Sequence, residues 1–276
     1  MFQIPTEIYA KLLRADDKSL ALSNSINSWC NKNAVTLESK LRPERPGLDL
    51  TCDMKNLIVP IENWRLDFGE IVYTLRSTLD NLIFFCATLH LDPPKQPRSL
   101  YFPIFTDAQD FSKQAKKASS QLDPIVSELV EKIQPYHREK SEVEGSSEAD
   151  PLFILNCLSN FDKHRMPIPF LVPPKEISFQ QSCQFYSDED ASANIPPNVV
   201  IHVDALEHGK TVMEYITNCP IKVATGKFEI KAKVAIMVNG HARDIFEVIE
   251  QVRWYSRIIV NEFENTLTRK STRTLT

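Results

Sequence analysis

Three observations predict an α+β fold. Ile8, Leu12, Ala15, Ser19, Leu22, Ile26 and Trp29 alternate four and three apart, one stripe of a long helix. Near the other end, Phe228, Ile230, Ala232 and Val234 interleave with Glu229, Lys231 and Lys233, the pattern of a strand with one wet face. Only six of the 276 residues are glycine, against 18 prolines, a balance that suits long helices broken by proline. The expected architecture is a helical core over residues 1–170 carrying a small hairpin at about 33–59. A β-rich part, 171–276, is closed by a long C-terminal helix and packs with the core as one unit.

After the first helix, residues 33–59 turn extended around Pro43-Glu44-Arg45-Pro46-Gly47, predicting a hairpin of Ala34–Lys40 and Leu48–Cys52. Asp67 and Glu70 form a capping-box pattern, so a second helix is expected from about Asp67 to Leu89. Its apolar face is Phe68, Ile71, Val72, Leu75, Leu79, Leu82, Ile83 and Cys86, and Asp92-Pro93-Pro94 ends it. Tyr101-Phe102-Pro103-Ile104-Phe105 is apolar and proline-interrupted, suited to docking on the core. Helical stretches follow at about 107–119 and 123–134, then an exposed polar loop at 139–150. Asp150-Pro151 is an N-cap and N1 pair that starts a helix through about Arg165. Strands are expected at Val199–Asp204, Thr211–Ile216 and Phe228–Val238, with an acidic loop at Ser187–Ala191. The last helix spans about Ala242–Leu267 with Ile245, Ile249, Val252, Ile259 and Phe263 inward, and the tail Thr268–Thr276 frays.

Composition excludes several classes. No two glycines are closer than fourteen residues, whereas phosphate-cradling loops need several together so that backbone N–H groups reach the ligand. His208-Gly209-Lys210-Thr211 looks like the tail of a P-loop, but Asp204 stands where its first glycine belongs. A net charge of −4 and an isoelectric point near 5.9 give no global basic footprint for nucleic acid. No apolar run has the length of a membrane helix, and Met1–Pro5 lacks a signal-peptide pattern. Six scattered cysteines without a C-x-x-C pair read as free thiols in a reducing, cytoplasmic setting. The six histidines lack zinc spacing, and no cofactor or metal is expected.

One polar constellation stands out. On the second helix Arg76 and Asp80 lie about 40° apart on the shoulder of the apolar face, with Tyr73 on the same stripe. On the 150–165 helix, Asp162 falls in line with Leu155, Leu158 and Ser159 and is expected to face the core. A buried carboxylate needs a partner, and Arg76, with its planar fork, is the one expected. The cluster then clamps two helices, with Lys163, His164 and Arg165 complementing a helix C-terminus. Alternatively it floors a site in which His164 moves protons.

Leu75-Arg76-Ser77-Thr78-Leu79-Asp80-Asn81, Phe102-Pro103-Ile104, Gln134-Pro135-Tyr136 and Asp162-Lys163-His164-Arg165 resemble, in order, the motifs L-R-S-x-L-D-H, F-P-I, Q-P-Y and D-K-H-R of a bacterial family of uncharacterised proteins. The resemblance spans about residues 5–170 and implies no established activity. A second resemblance, to HEPN-type helical domains, rests on the R-x4-6-H motif of their ribonucleases, which act as homodimers. Asn81 stands at the histidine position and cannot serve as a general base. On an ideal helix Arg76 and Asn81 are also about 140° apart.

The resemblance implies a non-enzymatic or degenerate HEPN-like module that engages nucleic acid or a protein partner, with a homodimer expected. The binding residues would be Tyr73, Arg76, Asp80, Asn81, Asp162, Lys163, His164 and Arg165. The alternatives are a metal-independent ribonuclease using Arg76 and His164, and a ligand-binding protein whose pocket floor is Arg76, Asp80 and Asp162.

Overall fold

The computed structural model describes residues 3–42, 46–138, 147–164, 168–194, 198–202 and 205–273, and only the backbone of 164, 179–181, 227 and 271–273. The chain begins α1 (Thr6–Lys32), β1 (Val35–Leu41), β2 (Gly47–Asp53), α2 (Ile61–His90), α3 (Ala108–Gln114), α4 (Lys116–Ser119), α5 (Pro124–Lys132) and α6 (Pro151–His164). It continues β3 (Phe170–Leu171), β4 (Pro174–Phe185), α7 (Asp188–Ser192), β5 (Asn198–Ile201), β6 (Thr211–Ile216), β7 (Ile221–Ala232), β8 (Ala235–Val238), β9 (His241–Asp244) and α8 (Ile245–Arg273). This is an α+β protein ending in a long helix. No described helix is long and apolar enough to cross a membrane.

By internal contacts the chain forms two units, each discontinuous in sequence: Met1–Ser23, Glu62–Ile168 and Val238–Thr276 in one, Asn24–Ile61 and Pro169–Met237 in the other. This differs from a single boundary near residue 170. The partners of the early hairpin lie past 170, and the helix completing the helical unit is the last one.

In the helical unit the buried side chains follow the expected stripes. Ile8, Leu12, Ala15, Ser19 and Leu22 of α1 are buried, as is the whole expected apolar face of α2. That helix starts at Ile61 rather than Asp67, because Trp64 extends the stripe one turn N-terminal of Phe68 and is itself buried. Asp67 and Glu70 are exposed residues within the helix, so their capping pattern is coincidental. In α8, Ile245, Ile249, Val252, Ile259 and Phe263 are buried, and the Phe263 ring lies 6.2 Å from that of Phe102. Asp244 caps α8, accepting from the Phe246 N–H at 2.9 Å. The helix runs on to Arg273, so most of the expected frayed tail is helical.

Polar ties connect the long helices. Tyr9 donates to Glu264 at 2.7 Å, and Asp16 accepts from Arg253 at 2.7 Å and also pairs with Arg257. Lys18 pairs with Glu70, and Lys11 donates to Ser77 at 3.1 Å. The cap at α6 is built as expected, Asp150 accepting from the Leu152 N–H at 2.7 Å; at α5, Asp123 accepts from the Ile125 N–H at 3.1 Å. Residues 139–146 of the expected polar loop lie outside the described residues.

The other unit is built on an antiparallel sheet of order β4-β7-β1-β2-β6-β5. The expected hairpin is present, with Leu41 opposite Leu48 and Thr36 opposite Asp53. It is the centre of this sheet rather than a small insertion, because β7 pairs with β1 and β6 with β2. Alternation sets the faces: Leu48, Leu50 and Cys52 are buried while Asp49, Thr51 and Asp53 are not. Gly47 opens β2 at φ +138°, and a Cβ there would lie 2.3 Å from the Tyr215 carbonyl oxygen, so only glycine fits.

Three sequence expectations are corrected in this unit. The strand read as 228–238 is two, β7 and β8, and β7 begins at Ile221. β4, pairing along β7, was not anticipated; as an edge strand rich in Gln and Ser it has only weak alternation. The acidic segment at 187–191 is the short helix α7, with Ser187 as its cap, accepting from the Asp190 N–H at 3.1 Å.

Candidate functional site

Arg76 is 8% exposed on α2, one turn before Asp80. Its Nη2 lies 3.2 Å from Asp80 Oδ1 and donates to the Phe102 carbonyl at 2.7 Å. Asp80 Oδ1 in turn accepts from the Phe102 N–H at 2.9 Å. One ion pair on α2 thus satisfies both backbone groups of one residue in the Phe102-Pro103-Ile104 segment. Gln134 holds the next residues: its Oε1 accepts from the Phe105 N–H at 3.0 Å, and its Nε2 donates to the Pro103 and Val130 carbonyls, each at 2.9 Å. Pro103 has no N–H and cannot join a ladder, so side chains from α2 and Gln134 do what a neighbouring strand would. Three of the four sequence motifs therefore meet at one place, as a backbone clamp.

Burial pushes the Arg76 guanidinium below its ordinary pKa, against the opposing pull of Asp80 and of Tyr101. Its Nη1 is buried and has no acceptor among the described residues. An arginine stays charged at neutral pH under such conditions, so the group is positive, enclosed and held by groups that order the chain.

The expected Arg76–Asp162 pair does not form. Asp162 is exposed and lies against Gly69, where a Cβ would come 3.0 Å from its Oδ1. Gly69 precedes Arg76 by seven residues, about 10 Å along the helix axis. The wheel angle of Asp162 was toward α2, but its height was that of Gly69, where the missing side chain lets α6 approach. Arg76, Asp80 and Asp162 are therefore not one polar floor.

The remaining candidates scatter. Tyr73 is 60% exposed, and Asn81 is exposed on a different side of α2 from Arg76. With its amide oriented to satisfy both neighbours, Asn81 accepts from Lys11 Nζ at 2.8 Å and donates to the Ser77 carbonyl at 3.2 Å. Lys163 is exposed at the end of α6, while the His164 side chain and Arg165 lie outside the described residues. His202 contacts Glu214 at 2.8 Å. Among the described residues no group of three or more His, Cys, Asp or Glu is placed to hold a metal ion.

A feature not anticipated lies on the outer faces of α1 and of α2. Leu13 and Leu20 of α1 are 58% and 63% exposed, and Leu66 of α2 is 66% exposed. With Tyr73 they make two pairs, each seven residues apart on its helix. The Lys11–Ser77 and Lys18–Glu70 contacts set the helices antiparallel and mark the flank of α1 that faces α2. Leu13 and Leu20 stand about 160° around α1 from those lysines, on the side where Tyr9 and Asp16 meet α8, so the α1 pair and the α2 pair are two separate exposed stripes. The signal was in the sequence, since Leu13 and Leu20 fall outside the buried stripe of α1.

No family model, curated protein or solved structure matches this chain.

Proposed function

We propose that this chain is a non-enzymatic, HEPN-like interaction module whose outer α1 face binds a protein partner, a second copy of the chain. The observation that carries the reading is the exposed pair Leu13 and Leu20, seven residues apart on one face of α1. Exposed apolar side chains gathered on one helical face mark contact surfaces. A helix with apolar residues seven apart can pack antiparallel against its own copy, as an isologous interface requires. Arg14 and Asp17 are exposed beside the pair, so a two-fold copy brings both signs of charge to the rim.

The non-enzymatic part is supported by the use already made of the candidate catalytic groups. Arg76 and Asp80 hold the Phe102 backbone, and Asn81, at the histidine position of the resembling motif, hydrogen-bonds Lys11 and Ser77. The chain's net charge of −4 favours a protein over a nucleic acid as partner.

Sedimentation equilibrium tests the interface. The wild-type chain is expected to be dimeric at about 100 µM, a concentration that populates even a micromolar dimer, and the Leu13→Glu/Leu20→Glu variant monomeric with unchanged helical circular dichroism. A wild-type monomer, or a double variant that still dimerises, overturns the reading. The alternative ribonuclease is tested on the same preparations with labelled RNA and EDTA. Cleavage that disappears in His164→Ala would establish that activity and sink the non-enzymatic reading.

A further inference from the structure

The seam between α5 and α8 buries Val126, Val130, Phe263 and Leu267, and beside it the two helices leave a groove of about 270 Å³. From α5 it is lined by Ile125, Glu128, Leu129 and Lys132, one face at helical spacing. From α8 come Thr266, Arg269 and Lys270. Ile125 and Leu129 are half-buried, an apolar floor continuous with the core seam. Three cations face one carboxylate there, on a chain whose net charge is −4.

The cations are not equivalent. Lys270 is engaged with Asp123, the α5 cap, and closes that end of the groove. Among the described residues Lys132 and Arg269 have neither a hydrogen-bond nor an ion-pair partner. Lys132 stands in the last turn of α5 and complements its dipole, which leaves Arg269 as the group with most to gain from an anion. A guanidinium fork takes a carboxylate by two parallel hydrogen bonds.

We propose that this groove binds a small organic carboxylate with an apolar body. The carboxylate lies on Arg269, with Lys132 adding charge and Thr266 a hydroxyl, and the body lies on Ile125 and Leu129. The volume, at the lower edge of small-molecule pockets, limits the ligand to about ten heavy atoms. An inorganic anion leaves the apolar floor unused, and a nucleic acid is too large to enter. The site is separate from the Arg76 cluster and from the Leu13/Leu20 face of α1, so it stands whether or not the chain dimerises.

Calorimetric titration of the full chain with octanoate is the test, with inorganic phosphate as the second probe. Saturable one-site binding of octanoate is expected, weakened at least tenfold in Arg269→Gln and unchanged in Lys95→Gln, an exposed control outside the groove. Both substitutions are on the surface, so equal thermal midpoints confirm folding. Three outcomes would overturn the proposal: no octanoate binding up to about 10 mM, equal binding by Arg269→Gln, or phosphate binding as tight as octanoate.

Discussion

Arg76 is placed by what it holds rather than by a charge on a second helix. Its fork and the Asp80 carboxylate together take the N–H and C=O of Phe102. Truncating it leaves a buried carbonyl without a donor and Asp80 without its counter-charge. Arg76→Ala is therefore expected to lower stability by about 3 kcal/mol, read as a shift in the urea midpoint. A shift below about 1 kcal/mol, the range of an exposed pair, would show that the clamp is not structural. The sequence made Arg76 legible as a buried cation, because its wheel angle beside Leu75 and Leu79 leaves it little water. It did not make the partner legible. A backbone carbonyl has no letter in a sequence, whereas Asp162, in line with Leu155, Leu158 and Ser159, does; its place against Gly69, two helical turns from Arg76, shows in no periodicity.

At the scale of elements, the N-caps of α5 and α6 carry aspartates whose titrations move in opposite directions. Burial raises the Asp150 carboxyl above its ordinary 3.8, although Arg138 and the N–H groups of Leu152 and Phe153 pull it down. Asp123 is lowered from 3.8, chiefly by its hydrogen bond from Lys270. The signs follow from linkage. The contribution of Asp150 is fully present below pH 3.8 and is lost as pH rises through its raised folded value. That of Asp123 is present above 3.8 and is lost as pH falls through its lowered folded value. A carbon-13 NMR titration of the carboxyl groups is expected to place Asp150 above and Asp123 below the ordinary aspartate value, and the reverse order would refute the assignment. The Asp150 cap was legible, since Asp-Pro is a local signature of a helix start; Asp123-Pro124 carries the same signature, though only a helical stretch is expected there. The starts of α2 and β7 were not legible: each is set by packing, through Trp64 in one case and pairing with β4 in the other.

For the whole molecule, the order of elements in the chain is not their order in space. β1 and β2 take their neighbours β7 and β6 from 195 and 167 residues later, by the register Val35↔Ile230 and Leu48↔Tyr215. Such pairings leave no trace in local periodicity, which is why the hairpin was legible and its central position was not. A fragment ending at residue 170 lacks those strands and also α8, with its Asp16 and Phe102 contacts. It is expected to show no cooperative thermal transition by circular dichroism, whereas the full chain does; a cooperative fragment would mean that residues 1–170 are an autonomous domain. The clamped Phe102–Phe105 segment has a related consequence. It has no regular secondary structure, yet its polar backbone is held by α2 and by Gln134, just after α5. It therefore has no opening motion of its own: a protease or solvent deuterium reaches its peptide bonds only when the helices around it come apart, so this loop belongs to the slowest-breathing part of the chain.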